Sequence, residues 1–252
     1  MSSTITFELC AETLQACRAA REGGANRIEL CSALSEDGLT PSHALIREAV
    51  KLSGLPVYIL LRPRAGGFVY SEEEFALMRE DLLHARSLGA QGFAIGALHA
   101  DATVDIERTR ELVELAFPLE VTFHRAFDLT PAVDQALEDV IATGCRRVLT
   151  SGGKNDVVAG AANLAELVER SRGRIDVAAG GGLRLGNAAE VAKITRASHF
   201  HGSVRRRSDR VAAQREDVLA SAILSDFFVD PDDVRAILRS LRAAGEDAAN
   251  TG

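Results

Sequence analysis

The amino-acid sequence predicts a (β/α)8 TIM barrel, an α/β fold, built as a single domain with a C-terminal helix extension. A strand-then-helix alternation recurs about eight times in roughly 200 residues, which is the length that a closed barrel of parallel strands with right-handed crossovers needs. An open doubly wound sheet is the alternative. It usually carries a glycine-rich phosphate-binding turn after its first strand, where this chain has Cys-Ala-Glu-Thr at positions 10–13.

Apolar alternation and turn residues locate each element in order along the chain. The predicted strands cover residues 5–10, 27–31, 57–63, 92–98, 119–127, 147–151, 174–179 and 199–203. The predicted helices cover residues 14–22, 42–52, 72–87, 106–115, 131–143, 156–171 and 187–195. A final helix is predicted to begin at Asp230-Pro231 and to run to about Ala243.

End signals support these boundaries. Ser71 and Glu74 have the spacing of a capping box, and Pro131 suits a first helical turn. Glycine follows several helices directly before the next strand, at 23–24, 89 and 144, where a left-handed C-cap is expected. Each helix is therefore expected to turn back quickly into a parallel strand.

The chain is predicted to divide into a barrel at residues 1–204 and a C-terminal loop and helix at residues 205–252 that packs on it. The final helix has one apolar face, formed by Val234, Ile237, Leu238 and Leu241. The basic run 205–207 is more typical of a solvated loop than of a nucleic-acid site, because no aromatic residue interleaves it.

Composition excludes several classes of protein. The 252 residues are 46% apolar, and 29 Lys and Arg against 36 Asp and Glu give a net charge of −7, which disfavours nucleic acid as a partner. No apolar run is long enough to span a membrane, and the N-terminus has no signal-peptide pattern. Four cysteines without an export signal indicate free thiols, so we expect a cytoplasmic protein.

Strand alternation predicts which side chains enter the barrel. The bulky apolar residues of each strand, among them Phe7, Ile28, Ile59, Phe123 and Phe200, are expected to face the helices. The inward set is then polar and sulfur-bearing: Thr6, Glu8, Cys10, Glu29, Cys31, Arg62, Arg64, Thr122, His124, His199, His201 and Ser203. Most of these lie near the C-terminal ends of strands, where barrel active sites are found. A buried Glu29–Arg62 ion pair that merely fills the core is the alternative.

Cys10 and Cys31 end neighbouring strands and face the same way, so their sulfurs are expected to approach one another. Paired thiolates suit Cu(I), which accepts few ligands, and suit zinc poorly, because zinc needs about four ligands. Two buried cysteines that only fill space are the alternative. Cys17 and Cys145 are interpreted as structural.

The segment 122–128 carries the candidate acid–base residues. His124 is expected to act as an acid, a base or a ligand, and Asp128 to orient it. Glu29 is a second candidate for acid–base work from the neighbouring part of the barrel. Both histidine and aspartate fall at a strand end, which favours function over core filling.

Glycine-containing strand ends predict an anion site. Ser151-Gly152 follows strand 6, Gly181-Gly182 follows strand 7, and His201-Gly202 belongs to strand 8. Loops after strands 7 and 8 often bind phosphate in such barrels through backbone N–H groups. Arg62 and Arg64 would add two cations that suit phosphate or carboxylate. Tight turns without a ligand are the alternative.

Motifs in order along nearly the whole chain resemble the CutC family. They are RIELCS at 27–32, GLTPS at 38–42, RPR at 62–64, YS at 70–71, TFHRAFD at 122–128, LTSGG at 149–153, GGG at 180–182 and FHGS at 200–203. The resemblance implies a TIM barrel, a cytoplasmic homodimer or higher homo-oligomer, and a role in copper homeostasis with Cu(I) as cofactor. By position, it places Cys10 and Cys31 at the family cysteines and assigns to the mouth cluster Glu29, Arg62, Arg64, His124, Arg125, Asp128 and His201.

One position departs from the family pattern. After Arg64 the family commonly has Gly-Asp-Phe, whereas this chain has Gly66-Gly67-Phe68. A carboxylate is therefore missing at position 67, and with it any metal ligand that the family would supply there.

Three functions follow as hypotheses. The chain is a copper-homeostasis protein that binds Cu(I) through Cys10 and Cys31, or an enzyme that acts on a small anionic metabolite, including a phosphorylated one. The enzyme hypothesis uses Glu29, His124 and Asp128 as catalytic candidates and the arginines and glycine loops for binding. The third hypothesis is a barrel whose polar cluster is only structural.

Overall fold

The computed structural model of the protein describes residues 4–207 and 227–250. In these residues, eight parallel strands close into a barrel in sequence order, with the first strand paired to both the second and the eighth. The strands are β1 Thr6–Ala11, β2 Arg27–Leu30, β3 Val57–Leu60, β4 Gly92–Ile95, β5 Glu120–Phe123, β6 Arg147–Thr150, β7 Asp176–Gly180 and β8 His199–Gly202. The predicted TIM barrel is confirmed, and the open-sheet alternative is wrong.

Helices alternate with the strands on the outside of the barrel. They are α1 Leu14–Gly23, α2 His43–Ser53, α3 Glu72–Ser87, α4 Ile106–Ala116, α5 Val133–Ala142, α6 Ala161–Ser171, α7 Ala188–Thr195 and α8 Pro231–Asn250. Short 3-10 helices cover Leu34–Glu36 and Arg125–Leu129. The predicted capping box of α3 is present, with Ser71 and Glu74 bonded to each other's backbone N–H.

The main hydrophobic core lies between the strands and the helices. Phe7, Ile28, Phe93, Phe123 and Phe200 are completely buried there, on the outer face of the barrel. Cys10, Cys31, Leu60 and Ala94 form a separate buried cluster. The predicted alternation between the helix-facing and lumen-facing sides is therefore confirmed for these residues.

The N-terminal half of the barrel interior is filled by a polar network. Arg27 pairs with Glu8, and Tyr58 donates a hydrogen bond of 2.7 Å to Glu120. Arg147 donates to Thr122 at 3.0 Å and to Glu120 at 3.2 Å. Because Arg27 and Arg147 each meet a carboxylate, this part of the lumen is a packed layer, and the open space lies at the other end.

Several predicted element ends differ from the structure. Strand β3 ends at Leu60, so Arg62 and Arg64 lie in the following loop. Strand β5 ends at Phe123, because His124 accepts a hydrogen bond from the Ala126 N–H and starts a 3-10 helix. Pro131 precedes α5 rather than forming its first turn, and α8 continues past Ala243 to Asn250.

The C-terminal helix α8 packs against α1 and α7. A Cβ atom at Gly23 would lie 2.4 Å from the Cβ of Val234, so glycine is required where the helices meet. The run Arg205–Arg207 is a strand, β9, paired with β10 at Phe227–Val229, and Arg205 lies over the Phe227 ring. The run is therefore a strand rather than the expected loop, whereas Arg206 and Arg207 are exposed to solvent as expected. The division of the chain at residue 204 stays a prediction.

Among the described residues, no helix combines the length and apolar character that crossing a membrane requires.

Candidate functional site

A cavity of about 960 Å³ opens at the C-terminal ends of the strands. Ten of its lining residues come from the predicted site set: Cys10, Glu29, Arg62, His124, Arg125, Asp128, Gly181, Gly182, His201 and Gly202. The other predicted residues, Cys31, Arg64, Ser151 and Gly152, are not among the described lining residues. Its volume falls in the range of pockets that hold small organic ligands.

The two predicted thiols meet beside this cavity. The sulfurs of Cys10 and Cys31 are 3.8 Å apart, and Cys31 also approaches the carbonyl oxygen of Ala11 at 3.7 Å. The hydrogen bond with Cys31, followed by burial, raises the pKa of the Cys10 thiol well above its ordinary value. The Cys10 thiol is therefore protonated when no ion is bound, and its sulfur is packed closely against that of Cys31.

His201 lies between two buried carboxylates. Its Nδ1 donates to Oε1 of Glu8 at 2.7 Å, and its Nε2 is 3.6 Å from Oε2 of Glu29. Burial opposes a charge on the imidazole, but the adjacent Glu29, Cys10 and Glu8 together raise the pKa of His201 well above its ordinary value. Burial, together with the negative charge of Glu8, raises the pKa of Glu29. His201 is therefore an imidazolium at neutral pH.

His124 is a neutral imidazole in a tight slot. Burial, with the nearby Arg62 charge, lowers its pKa to about 3. Its Nδ1 accepts the Ala126 N–H at 3.2 Å, and Phe68 packs on the ring. A Cβ at Gly96 would lie 2.4 Å from Cε1 of His124, so glycine at this position leaves room for the ring.

Asp128 does not orient His124. Its carboxylate instead accepts hydrogen bonds from Thr150 Oγ1 at 2.5 Å, from the Ser151 N–H at 3.0 Å and from Arg125 Nε at 2.9 Å. It also accepts the N–H of Gly153 at 3.0 Å. Asp128 therefore fixes the loop after β6 and the position of Arg125, because the chain turns into a 3-10 helix after His124.

Arg62 and Arg64 are occupied by the protein itself. Arg62 donates to the carbonyl oxygens of Glu36, Gly38 and Gly66, and its Nε is buried without a partner. Within the described residues Arg62 forms no ion pair with Glu29, so the alternative of a core-filling Glu29–Arg62 pair is wrong. Arg64 pairs with Glu74 and donates to the Gly67 and Val69 carbonyl oxygens, outside the cavity.

The two glycine-containing loops differ in what their backbones offer. After β6, the N–H groups of Ser151 and Gly152 already bond to Asp128 and Thr150. After β7, no described acceptor takes a hydrogen bond from the N–H of Gly181, Gly182 or Leu183. These three residues line the cavity, and both glycines have positive φ. The loop after β7 is therefore the one with free donors for an anion.

Sequence reasoning missed two contributors to the site. Arg184 lines the cavity and has no ion-pair or hydrogen-bond partner for its guanidinium among the described residues. Arg27 was not recognised as the partner of Glu8. It begins β2 and faces the same side of the sheet as Glu29, which lies two residues later in that strand. The position of Arg184 just after a glycine triplet was the available signal for the first.

Comparison with known proteins decides the family. The model of the CutC family matches residues 5–206. This chain belongs to the CutC family. A CutC family protein of Chromobacterium violaceum is 48% identical over 199 residues, which are 79% of this chain and 81% of that protein. One of Vibrio cholerae is 39% identical over 240 residues, 94% of each chain.

A solved structure agrees with this CutC assignment. The putative copper homeostasis protein CutC of Streptococcus agalactiae superimposes with a TM-score of 0.75 at 31% identity, covering 79% of this chain and 99% of that one. Phosphoribosylanthranilate isomerase of Pyrococcus furiosus matches with a TM-score of 0.56 at 15% identity, over 95% of this chain and 99% of that one. The second likeness shows the barrel fold alone.

Proposed function

We propose that this CutC family protein binds Cu(I) through the thiolates of Cys10 and Cys31 and so serves copper homeostasis. The observation that carries the proposal is the 3.8 Å separation of the two sulfurs on adjacent strands. Metal–thiolate bonds of about 2.3 Å span two sulfurs up to about 4.6 Å apart, so the pair fits one ion without backbone movement. Soft sulfur donors in a site of low coordination number favour Cu(I).

His201 and Glu29 extend the donor set. A sulfur of Cys10, a carboxylate oxygen of Glu29 and an imidazole nitrogen of His201 all lie within 4.8 Å of one another. The ion would replace the thiol protons and the Nε2 proton of the His201 imidazolium, so binding would release protons and strengthen as pH rises. The putative copper homeostasis protein of Streptococcus agalactiae supports the same assignment through its name.

Competition with a chromophoric Cu(I) chelator under reducing, anaerobic conditions tests this function. We expect Cys10→Ser and Cys31→Ser each to weaken Cu(I) binding by at least 100-fold. Cys17→Ser and Cys145→Ser are the matched controls, because both remove a buried thiol distant from this pair. Unchanged affinity in a folded Cys10→Ser/Cys31→Ser double variant would overturn the proposal.

A second function is favoured by the cavity beyond the thiols. Its volume of about 960 Å³ exceeds what one metal ion occupies, and its wall offers free backbone N–H groups with Arg125 and Arg184. These features support an enzyme that acts on a small anionic metabolite, with Glu29 and His124 as acid–base candidates. A thermal-shift series with inorganic phosphate, glycerol 3-phosphate and Cu(I) separates the two functions, since only a ligand of the native state raises Tm. A rise with the phosphates that persists in Cys10→Ser/Cys31→Ser supports the second function.

We also infer a cytoplasmic location and a homodimer or higher homo-oligomer. The four free cysteines fit a reducing compartment. Large apolar side chains on the surface, such as Phe117, which is 75% exposed, favour self-association. Sedimentation equilibrium tests the oligomer, and a single species of monomer mass at micromolar concentration would contradict it.

A further inference from the structure

The tautomer of His124 is fixed by the backbone. Its Nδ1 accepts the N–H of Ala126 at 3.2 Å, so Nδ1 carries no proton. A neutral imidazole has one proton, which therefore resides on Nε2. Burial and the Arg62 charge keep the ring neutral, since they lower its pKa to about 3. His124 is thus a neutral N–H donor over the whole physiological pH range.

This donor has no acceptor within the described protein. The Nε2 atom of His124 is buried and unpartnered, although the residue lines the cavity. An unsatisfied buried donor is destabilising, and a ligand oxygen that accepted its hydrogen bond would remove that cost. Phe68, another cavity residue, packs on the imidazole at 4.9 Å between ring centroids, so the ring that carries Nε2 borders the cavity.

A carboxylate base lines the same cavity. Glu29 is 5% exposed, and the ion pair that the structure gives it is the 3.6 Å approach to His201. Its carboxylate therefore borders the space that a substrate would occupy and is placed to take a proton from a molecule bound there. The neighbouring His201 imidazolium holds a positive charge beside it. The cavity therefore combines one base, one neutral donor and one cation.

The loop after β7 adds donors for an anion to the same cavity. The N–H groups of Gly181, Gly182 and Leu183 have no described acceptor, and Arg184 follows them directly. A phosphate oxygen bound there would be held by backbone donors and one guanidinium. Such a group anchors a substrate while its other end extends toward the buried acid–base residues.

We propose that the cavity catalyses enolisation of a small phosphorylated hydroxycarbonyl compound, with Glu29 as the base and His124 as the donor to the carbonyl oxygen. This inference rests on the second function above. Glu29 removes a proton from the carbon beside the carbonyl, and the electron pair of that C–H bond forms the C=C bond of an enediolate. The Nε2–H of His124 hydrogen-bonds to the developing oxyanion and gives it that proton, and Nε2 takes back the proton of the neighbouring hydroxyl group. Glu29 then returns the abstracted proton to the former carbonyl carbon as the C=C bond becomes the new C=O bond. The net change is an aldose–ketose shift without a co-reactant.

Binding of phosphoglycolohydroxamate, a phosphate-bearing mimic of an enediolate, tests the recognition step by calorimetry. We expect the wild type to bind it at least tenfold more tightly than glycerol 3-phosphate, which has the same phosphate and no enediolate. His124→Ala should abolish this preference and leave glycerol 3-phosphate binding unchanged, and His124→Gln, which keeps an N–H donor, should restore part of it. Arg184→Ala should weaken both ligands equally.

Deuterium uptake tests the chemical step. Dihydroxyacetone phosphate in D2O should gain deuterium beside its carbonyl with the wild type, and a folded Glu29→Gln variant purified identically should reduce the rate at least 100-fold. Equal binding of both phosphate ligands, or uptake no faster than with Glu29→Gln, would overturn the enolisation proposal while leaving anion binding intact. Failure of both phosphates to bind would overturn the second function as well.

Discussion

Nδ1 of His201 lies 2.7 Å from Oε1 of Glu8, a residue 193 positions earlier in the chain. The contact crosses the seam where β8 pairs with β1, in the register that sets Glu8 opposite His201. Glu8 also pairs with Arg27 on β2. A buried row of alternating charges therefore holds β8 to β1, in addition to the backbone hydrogen bonds between these strands.

These charges determine one another's protonation. Burial alone would raise the pKa of Glu8, but the Arg27 guanidinium and His201 hold it far below its ordinary value. A carboxylate with a depressed pKa stabilises the fold above its unfolded-state value near 4.5, and that contribution is lost as pH falls below it. The seam is therefore strongest at neutral pH and weakens in acid.

Glu8→Gln should destabilise the protein by about 3–5 kcal/mol at pH 7, because it leaves the buried Arg27 without its counter-charge. Urea unfolding followed by circular dichroism measures the change. Glu138→Gln is the matched control, since Glu138 pairs with Arg174 on the surface and its loss should leave the midpoint nearly unchanged. Equal midpoints for the two variants would contradict a structural role of the seam.

The neutral state of His124 predicts a second loss of stability in acid, which comes from a buried base rather than from a paired carboxylate. Between pH 6.5 and about 3, the unfolded chain binds a proton on this imidazole and the folded chain does not, so stability falls as pH falls. The His124→Gln variant lacks this dependence. Its free energy of unfolding should therefore fall by about 2 kcal/mol less than that of the wild type between pH 7 and pH 5. His201, whose raised pKa acts in the other direction, is present in both proteins and cancels. If the free energy of unfolding changes by the same amount between the two pH values in both proteins, burial does not lower the pKa of His124.

The close approach of Gly96 to His124 predicts the effect of a single methyl group. Gly96→Ala would bring a Cβ to 2.4 Å from Cε1 of the imidazole and should cost about 1–3 kcal/mol. Gly67→Ala is the control, because a Cβ there meets no atom within 4 Å and its φ is not positive. Thermal unfolding compares the two. If Gly96→Ala matches Gly67→Ala, the imidazole slot is not tightly packed.

Side-chain alternation explains why much of the site was predictable. Alternate residues of a strand face opposite sides of the sheet, and parity here means whether a residue is odd or even in that alternation. Cys10, Glu29 and His201 could therefore be assigned to the lumen from the sequence. Parity says nothing about the stagger between neighbouring strands. The pairing of Glu8 with Arg27 and His201 depends on that register, and the sequence alone did not reveal it.

Beyond the strand ends, parity no longer applies. Arg64 was expected in the lumen, yet β3 ends at Leu60 and the loop turns Arg64 toward Glu74. Asp128 was expected beside His124, yet the intervening 3-10 helix turns it toward the loop after β6. These loop conformations are set by backbone hydrogen bonds and local turns, which no periodic pattern encodes.

The free N–H groups after β7 predict that anion binding depends on the backbone of Gly181. Gly181→Ala places a side chain at a φ of +96° and a Cβ 2.8 Å from the guanidinium carbon of Arg125. It should strain the loop and displace Arg125, weakening the binding of glycerol 3-phosphate at least tenfold in calorimetry. Gly186→Ala is the control in the same loop region, because a Cβ there has no neighbour within 4 Å. If both variants bind the phosphate as the wild type does, the loop after β7 is a tight turn and the anion lies elsewhere in the cavity.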